Sequence, residues 1–259
     1  QNELHKELYE NITASIHYAK RLQDNILPSV EYINKVLEHS FNYFRPKDIV
    51  SGDFYFVKEI EGKVIFAAVD CTGHGVAGAL MSMIGESLLN QIVYEHEIFE
   101  AADILDNLNI GIQDILKQSE TNSHHGMDAG IMVIDQAAGE IQYAGAQQNL
   151  LYSDNDVITT IKGDRISLGG YVDQERNYTN HSIKYKKGET SFYMFSDGFQ
   201  DQFGGENNQK FMAPRFRQLL YDIHHLPMIE QKEMLKSKFN HWKQDTEQLD
   251  DLLVIGVRI

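Results

Sequence analysis

A chain of 259 residues with 42% apolar and 10% aromatic side chains is long enough to bury a sizeable core. Its 23 basic and 38 acidic residues give a net charge of −15, which argues against a nucleic-acid partner, because such binding draws on clustered Lys and Arg. The single cysteine, Cys71, excludes an internal disulfide and a multi-cysteine zinc site. An acidic chain of this kind is instead suited to holding cations.

No apolar run approaches the roughly 20 residues of a membrane span, and no secretory signal is recognisable, so we expect no membrane contact by this segment. The lone cysteine suits a reducing compartment. We therefore expect a cytoplasmic location, either for the whole protein or for the cytoplasmic part of a membrane sensor. The chain begins at Gln1 rather than Met, from which we expect a longer protein with upstream domains.

The first predicted element is a helix from about Glu3 to Leu27, since this stretch contains no Gly or Pro and Pro28 closes it. Two heptad rows in this helix form a 3.5-residue seam: Leu8, Ser15 and Leu22 in one row, and Ile12, Ala19 and Ile26 in the other. A short coiled coil that pairs two chains and an amphipathic helix that lies on its own domain are equal alternatives. We divide the chain into a linker helix, residues 1–28, and a domain, residues 29–259.

Strands and tight turns dominate the chain after Pro28. VIFAAVD and DAGIMVID are typical of the apolar runs, and helices are predicted at about 75–97, 100–118, 214–224 and 228–244. Short strands separated by turns favour antiparallel sheets over alternating βαβ units. The predicted fold class is therefore α+β.

Four acidic residues adjoin strand-like apolar runs: Asp53 in SGDFYF, Asp70 in AAVDCTGHG, Asp197 in YMFSDGFQD and Asp250 in EQLDDLLVIGV. Any one aspartate at a strand end is more often a turn or cap residue. Four that converge at one edge of two sheets would repel one another and would favour bound Mg²⁺ or Mn²⁺. Two such cations can activate a water for in-line attack at phosphorus.

Five segments together resemble the SpoIIE-type, RsbU-like branch of the metal-dependent (PPM) serine/threonine protein phosphatases, relatives of protein phosphatase 2C. They are DIVSGDFYF (48–56), VDCTGHGVAGAL (69–80), GMDAGIMVID (126–135), FSDGFQDQFGG (195–205) and LDDLLVIGVRI (249–259), in the family's order. The resemblance implies an α-β-β-α sandwich of two packed antiparallel sheets flanked by helices. It implies dephosphorylation of Ser or Thr on a partner, such as an anti-sigma-factor antagonist, and an upstream sensor joined through the linker helix.

The same resemblance implies a site that holds two divalent cations, Mn or Mg. Asp53 resembles the early ligand of one metal, and Asp70 resembles the carboxylate that bridges both metals. Cys71 occupies the position whose backbone carbonyl is also a ligand. Asp197 and Asp250 resemble the late ligands of the other metal.

Several roles stay open from the sequence. His74 is either a general acid for the leaving alkoxide or a residue that only holds the turn. Either Asp250 or Asp251 could face the metal, and the motif order favours Asp250. Asp128 fits an additional metal or a turn cap equally well, and Asp251 is the other candidate for that additional metal. Two basic residues, Arg45 and Lys47, are candidates for contact with a substrate phosphate.

The predicted function is a phosphatase output domain of a larger sensor protein, paired as a homodimer through the linker helix. Its partners are a phosphoprotein substrate and the sensor. The alternative is a non-catalytic signalling or dimerisation module that binds a partner without hydrolysis. All four carboxylates are present, whereas a degenerate copy would be expected to have lost some of them.

Overall fold

The N-terminal helix, α1 (Asn2–Ile26), ends two residues before Pro28, as the sequence predicts. The computed structural model describes residues 2–121, 123–154, 157–170 and 177–259. Leu8 and Ile12 of the predicted seam are 55% and 51% exposed, whereas Gln23 near the other end is 1% exposed. The first half of α1 therefore presents an apolar stripe to solvent, whereas the last turns lie on the domain.

Helices and strands follow α1 in an order that confirms the predicted α+β class. The described helices are α2 (Val30–Val36), α3 (Gly75–Asn90), α4 (Ala101–Ile115), α5 (Gln118–Thr121), α6 (Gly198–Asp201), α7 (Ala213–Ile223) and α8 (Met228–Lys243). The described strands are β1 (Ser40–Arg45), β2 (Phe54–Ile60), β3 (Lys63–Cys71), β4 (Gly126–Asp135), β5 (Glu140–Ala146), β6 (Leu150–Asp154), β7 (Val157–Ile161), β8 (Leu168–Gly169), β9 (His181–Lys184), β10 (Ser191–Phe195), β11 (Phe203–Gly204), β12 (Gln209–Lys210) and β13 (Leu252–Arg258).

Two antiparallel sheets form the centre of the fold. The first sheet has the strand order β1-β13-β10-β6-β7, and the second has the order β2-β3-β4-β5-β9, with β8 paired to β4. Every described pairing between these strands is antiparallel. The predicted architecture of two packed antiparallel sheets is thus confirmed.

The alternation of side chains along each strand produces the layers of the fold. Successive side chains of a strand point to opposite faces of its sheet. On β3, Phe66 and Ala68 face the first sheet and pack in one cluster with Met194 of β10, whereas Ile65 and Ala67 pack in a second cluster with α3 and α4. A third cluster joins the outer face of the first sheet to α7 and α8. The result is an α-β-β-α sandwich.

Two local features differ from the sequence predictions. The segment Val30–Val36 is a helix rather than strand or turn, because Ser29 caps it: the Tyr32 amide donates to the Ser29 hydroxyl at 3.2 Å. The helix that begins at Gly75 continues through a π-helical turn, Gln91–Glu95.

The segment Gly75–Glu95 also corrects the expectation that no apolar run approaches a membrane span. Its 21 residues are long and apolar enough to cross a membrane by length and composition alone. Half of its most apolar window is buried inside the protein, where α3 packs against the second sheet and α4. The apolar composition is accounted for by this packing.

Candidate metal centre

Three carboxylates lie level with one another at one edge of the second sheet. Asp70, the penultimate residue of β3, pairs directly with Asp128 of β4. On the other side of β3, Phe54 pairs with Val69, which brings Asp53 level with Asp70. Like charges that lie opposite each other on neighbouring strands repel. This edge of the sheet therefore concentrates negative charge.

The first sheet adds two more carboxylates to the same end of the sandwich. β10 ends two residues before Asp197, and β13 begins directly after Asp251. These strands are antiparallel neighbours, so the end of one meets the start of the other. The Asp197 amide donates a hydrogen bond to the Asp70 carboxylate and joins the two sheets. We call the resulting group the carboxylate edge: Asp53, Asp70, Asp128, Asp197 and Asp250.

Burial and mutual repulsion set the electrostatics of this edge. Burial raises the pKa of Asp53 well above its usual range, and the charge of Asp70 raises it further, while a hydrogen bond with Ser196 lowers it only in part. The pKa of Asp70 is also raised well above the usual range, first by burial and then by the charges of Asp197 and Asp250. No Lys or Arg side chain is among these main causes of the pKa shifts of Asp53 and Asp70.

Burial raises the pKa of Asp197 from 3.8 to about 6, and Asp250 contributes the next largest effect. Lys210 opposes this shift, but its ammonium group also forms a 2.6 Å ion pair with Asp201. The pKa of Asp128 is raised as well, because of burial. Asp128 lies inside β4 and is not a turn residue, so the turn-cap alternative does not describe it.

A test of whether these residues fit a divalent cation rests on Asp53. Its side chain is 2% exposed, and its Oδ2 atom is buried without a hydrogen-bond partner. A buried, unpaired carboxylate oxygen is costly unless a positive charge meets it. Within the described residues, His, Cys, Asp and Glu side chains do not already converge in a group of three or more that could hold a metal ion. The fit therefore rests on the hard oxygen donors and on the unpaired oxygen of Asp53.

Adjacent residues Asp250 and Asp251 have opposite environments. Asp251 is 2% exposed, and its two carboxylate oxygens accept hydrogen bonds from the amides of Lys47 at 2.8 Å and Gly52 at 2.7 Å. Asp250 is exposed, and its carboxylate accepts one hydrogen bond, from the amide of Asp251. Asp251 thus holds the segment that leads into Asp53, and Asp250 keeps oxygen lone pairs available.

The backbone around Cys71 is packed unusually closely. A Cβ atom added to Gly52 would lie 2.5 Å from the carbonyl oxygen of Gly73 and 3.3 Å from that of Cys71, so only glycine fits at position 52. Gly73 adopts φ +88°, which also favours glycine. The Cys71 side chain is buried, and burial raises the pKa of its thiol well above the usual value. The thiol is therefore poorly suited to act as a nucleophile.

The turn that follows β3 presents His74 to solvent. His74 precedes the first residue of α3, but its side chain makes no capping hydrogen bond. Its Nδ1 atom instead lies 2.9 Å from Oδ2 of Asp48, and both side chains are about half exposed. This pairing orients the imidazole ring through Nδ1, and Nε2 takes no part in the contact with Asp48.

The two basic candidates occupy different positions. Arg45 donates from Nη1 to Asn240 at 2.8 Å, and its guanidinium lies 5.5 Å from the centre of the Phe239 ring, so it packs against α8. Lys47 is half-buried, and its amide donates to Asp251. By register, Lys47 lies level with Asp250, because Arg45 pairs with Leu252.

The N-terminal helix also contacts this part of the molecule. The buried side-chain amide of Gln23 accepts a hydrogen bond from the backbone N–H of Ser51 at 3.0 Å and donates one to the Ser51 carbonyl at 2.7 Å. It also donates to the Ser82 hydroxyl of α3 at 2.9 Å. The linker helix is thereby bonded to the backbone two residues before Asp53.

Comparisons with known proteins agree with this architecture. Residues 60–259 match the family model described as Stage II sporulation protein E (SpoIIE). The SiaA-PP2C domain of Pseudomonas aeruginosa is 30% identical, with a TM-score of 0.89, and the match covers 97% of this chain and 98% of that one. The chain belongs to the SpoIIE family. It is a PP2C-like phosphatase domain of the SpoIIE/RsbU type.

More distant solved structures share the fold of this SpoIIE-family domain. The PP2C phosphatase domain of SpoIIE from Bacillus subtilis, solved with a fragment of its regulatory domain, is 18% identical with a TM-score of 0.67, covering 85% of this chain and 62% of that one. RsbX in complex with magnesium is 18% identical with a TM-score of 0.58, covering 85% and 94%. No match was found among curated protein sequences.

Four residues that contact segments of the candidate site in this SpoIIE-family domain were not identified from the sequence: Gln23, Asp48, Ser196 and Gln202, whose Oε1 atom accepts a hydrogen bond from the Leu249 amide beside Asp250. Ser196 directly precedes Asp197, so the pair of polar residues after an apolar strand is a usable signal. Asp48 lies within the family motif 48–56, but no sequence pattern indicates that it contacts His74. Gln23 and Gln202 bond to segments distant in sequence, which no local pattern reveals.

Proposed function

We propose that this domain is a metal-dependent protein serine/threonine phosphatase that uses two divalent cations, Mn²⁺ or Mg²⁺. The observation that carries the proposal is the buried Asp53 oxygen without a partner, beside a second carboxylate, Asp70, whose pKa is also raised. Asp53, Asp70 and the Cys71 carbonyl would hold one cation. Asp70, Asp197 and Asp250 would hold the other, and the magnesium complex of RsbX supports this choice of metal.

When bound, such cations activate a water for in-line attack at phosphorus and neutralise charge on the phosphoryl group. Asp70 suits a shared role because it accepts a hydrogen bond from Asp197 of the other sheet and lies level with Asp53 of its own. Asp251 holds Lys47 and Gly52 in place, which fixes the approach of the backbone to Asp53. Asp128 would take part in an additional, weaker cation site.

His74 is proposed to donate a proton to the leaving serine or threonine alkoxide. Asp48 contacts Nδ1 at 2.9 Å and so orients the ring. In this role His74 would give the alkoxide a proton from Nε2, the ring nitrogen that Asp48 does not contact. Lys47 is the better placed of the two basic residues for a substrate phosphate, since Arg45 is bonded to Asn240.

The substrate class that we propose is a phosphoserine or phosphothreonine on a signalling protein, such as an antagonist of an anti-sigma factor. Membership of the SpoIIE family supports this class. The upstream part of the protein would be a sensor, by analogy with the SpoIIE phosphatase domain, which was solved with a fragment of a regulatory domain. The substrate and the sensor are both proposals for this chain.

We also propose that two chains pair through the exposed stripe of α1. The stripe includes Leu4, Leu8 and Ile12, each at least 51% exposed, and large apolar side chains on one helix face favour association. Gln23, on the same helix, bonds to the backbone at Ser51. A shift of α1 on pairing would therefore reach the segment that carries Asp53.

The decisive experiment compares two aspartates of β3 and β4. Asp70→Asn should abolish Mn²⁺-dependent hydrolysis of an aryl phosphate and of a phosphoserine protein, while far-UV circular dichroism remains that of the folded chain. The matched control is Asp135→Asn, which makes the same substitution at the other end of the strand pair and should retain turnover. Unchanged turnover in Asp70→Asn would overturn the mechanism.

Calorimetric titration with Mn²⁺ separates the phosphatase from a module that only binds a partner. A phosphatase of the proposed kind binds Mn²⁺ at the carboxylate edge, and Asp70→Asn weakens that binding. A binding module needs no metal there. Absence of Mn²⁺ binding to the wild-type chain would favour the module.

A further inference from the structure

A fully buried glutamine, Gln202, lies between two segments of the carboxylate edge. It directly follows α6, the short helix whose first residues come after Asp197. Its side chain is 0% exposed and reaches into the loop of residues 244–251, which we call the Asp250 loop. Gln202 lies 48 residues before Asp250 along the chain, so only the fold brings the two segments together.

Every polar atom of the Gln202 side chain is used. Its Nε2 group donates to the carbonyls of Phe203 and Glu247, both at 2.9 Å, and lies 3.3 Å from the Thr246 hydroxyl. Its Oε1 atom accepts from the amide of Leu249 at 3.2 Å. Leu249 directly precedes Asp250, so this bond fixes the backbone at the entrance to that carboxylate.

The backbone of Gln202 is held just as firmly. Its carbonyl accepts from the Phe211 amide and from the indole nitrogen of Trp242, both at 3.0 Å. Trp242 lies near the end of α8, where the Asp250 loop begins. Gln202 is therefore anchored at the start of the loop through its backbone and near the end of the loop through its side chain.

The Asp250 loop has little apolar packing of its own. Its residues from Gln244 to Asp250 are exposed or half-buried, and Gln244 adopts a strained φ of +50°. A loop of this kind keeps one geometry only where polar contacts restrain it. The amide of Gln202 supplies several of those contacts from a buried position.

From this geometry we infer that Gln202 is a positioning residue that fixes Asp250 relative to Asp197 and so sets the affinity for one of the two cations. The inference rests on the proposed function. Partners that hold a metal ligand in place without touching the metal commonly contribute about ten- to a hundredfold to metal affinity. A merely structural role of Gln202 would change stability and leave that affinity alone.

Gln231 provides a matched control. It is also a glutamine at 0% exposure, and its amide bonds to the Tyr193 hydroxyl at 2.8 Å and to the carbonyls of His224 at 3.0 Å and Leu226 at 2.9 Å. None of these described partners belongs to the Asp250 loop. Gln202→Met and Gln231→Met thus remove buried amides of similar connectivity from two places.

The experiment is a calorimetric titration of the wild-type chain and both variants with Mn²⁺, at a temperature where thermal unfolding shows all three folded. Gln202→Met should weaken one of two Mn²⁺ sites by about ten- to a hundredfold. Gln231→Met should bind Mn²⁺ as the wild type does, even where it lowers the melting temperature as much. Equal Mn²⁺ affinity in Gln202→Met and the wild type would overturn the inference.

A second variant covers the case in which Gln202→Met does not fold. Thr246→Val removes the hydroxyl that lies within hydrogen-bond distance of the Gln202 amide and 2.9 Å from the Phe203 carbonyl. It should weaken the same site by a smaller factor, and unchanged affinity would count against the inference. A wild-type chain that binds no Mn²⁺ would instead refute the proposed function, so the two failures are distinguishable.

Discussion

The two ends of the β3–β4 strand pair carry charged residues in opposite arrangements. At one end Lys63 of β3 pairs with Asp135 of β4, and their side chains form an ion pair. At the other end Asp70 pairs with Asp128, so that like charges face each other. The hydrogen bond with Lys63 lowers the pKa of Asp135, whereas burial raises the pKa of Asp128 and Asp70.

The difference separates a structural end from the end that we propose to be functional, within the same two strands. An ion pair at a strand end satisfies charge locally and leaves nothing for a ligand to neutralise. Uncompensated carboxylates lower the stability of the folded state, and they persist in proteins chiefly where a ligand or reaction uses them.

After the loss of turnover expected for Asp70→Asn, the largest effect is expected from Asp53→Asn at the same end. We expect turnover with Mn²⁺ to fall by about a thousandfold, because a cation ligand supports several kcal/mol of transition-state stabilisation. The metal-free variant should also melt at a higher temperature than the wild type, since a buried charge beside Asp70 is removed. Both are measured by steady-state kinetics and by thermal unfolding in EDTA.

Asp135→Asn is the control at the structural end. It should keep turnover and change the melting temperature little, because ion pairs near the surface contribute little to stability. A metal-free Asp53→Asn variant that melts below the wild type would contradict the contrast between the ends.

The next largest effect is expected for His74→Asn. A general acid contributes about a hundredfold or more to the departure of a poor leaving group. Turnover of a phosphoserine peptide should therefore fall much more than turnover of an aryl phosphate, whose leaving group needs little protonation. Asp48→Asn should cause a smaller loss with the same substrate dependence. Equal losses on both substrates would show that His74 only holds the turn.

Adjacent substitutions at Asp251 and Asp250 should separate stability from metal binding. Asp251→Asn replaces an acceptor of two amides at a buried position and should cost about 1–3 kcal/mol of unfolding free energy. Asp250→Asn should change that free energy by less than about 0.5 kcal/mol, as exposed substitutions do, and should weaken Mn²⁺ binding. Urea denaturation and Mn²⁺ calorimetry give the two quantities. The reverse pattern would assign the ligand role to Asp251.

A pH series gives the smallest expected effect. The pKa of Asp197 is raised to about 6 in the folded state, from 3.8. Below 3.8 the group is protonated in both states, and above about 6 it is ionised in both. In the folded state burial first, and repulsion second, disfavour the ionised group. Asp197 therefore lowers metal-free stability progressively as pH rises through this window.

The measurement is the difference in unfolding free energy between the wild type and Asp197→Asn in EDTA. The wild type should lose stability relative to the variant between pH 4 and pH 7. Added Mn²⁺ should restore it at the higher pH, because deprotonated ligands bind the cation. A difference that does not change with pH would exclude this source of repulsion.

The sequence predicted antiparallel sheets and marked Asp53, Asp70, Asp197 and Asp250 as residues beside strands, because strand alternation and strand ends are local patterns. The packing of two sheets followed from the family resemblance. The sequence could not separate Asp250 from Asp251, since that choice depends on which carboxylate the Lys47 and Gly52 amides reach. The contacts of Gln202 have the same origin in tertiary structure. The linker helix resisted a single interpretation because its two halves lie in different environments.

The buried thiol of Cys71 has a practical consequence. It is the only cysteine of the chain and lies in the strand that carries Asp70, so its reaction with a thiol reagent requires that this strand end become accessible. The rate at which a thiol reagent labels the unmodified protein thus measures how readily the site opens. This measurement requires neither substrate nor an introduced probe. Slower labelling in the presence of Mn²⁺ would measure how far the cation closes the site.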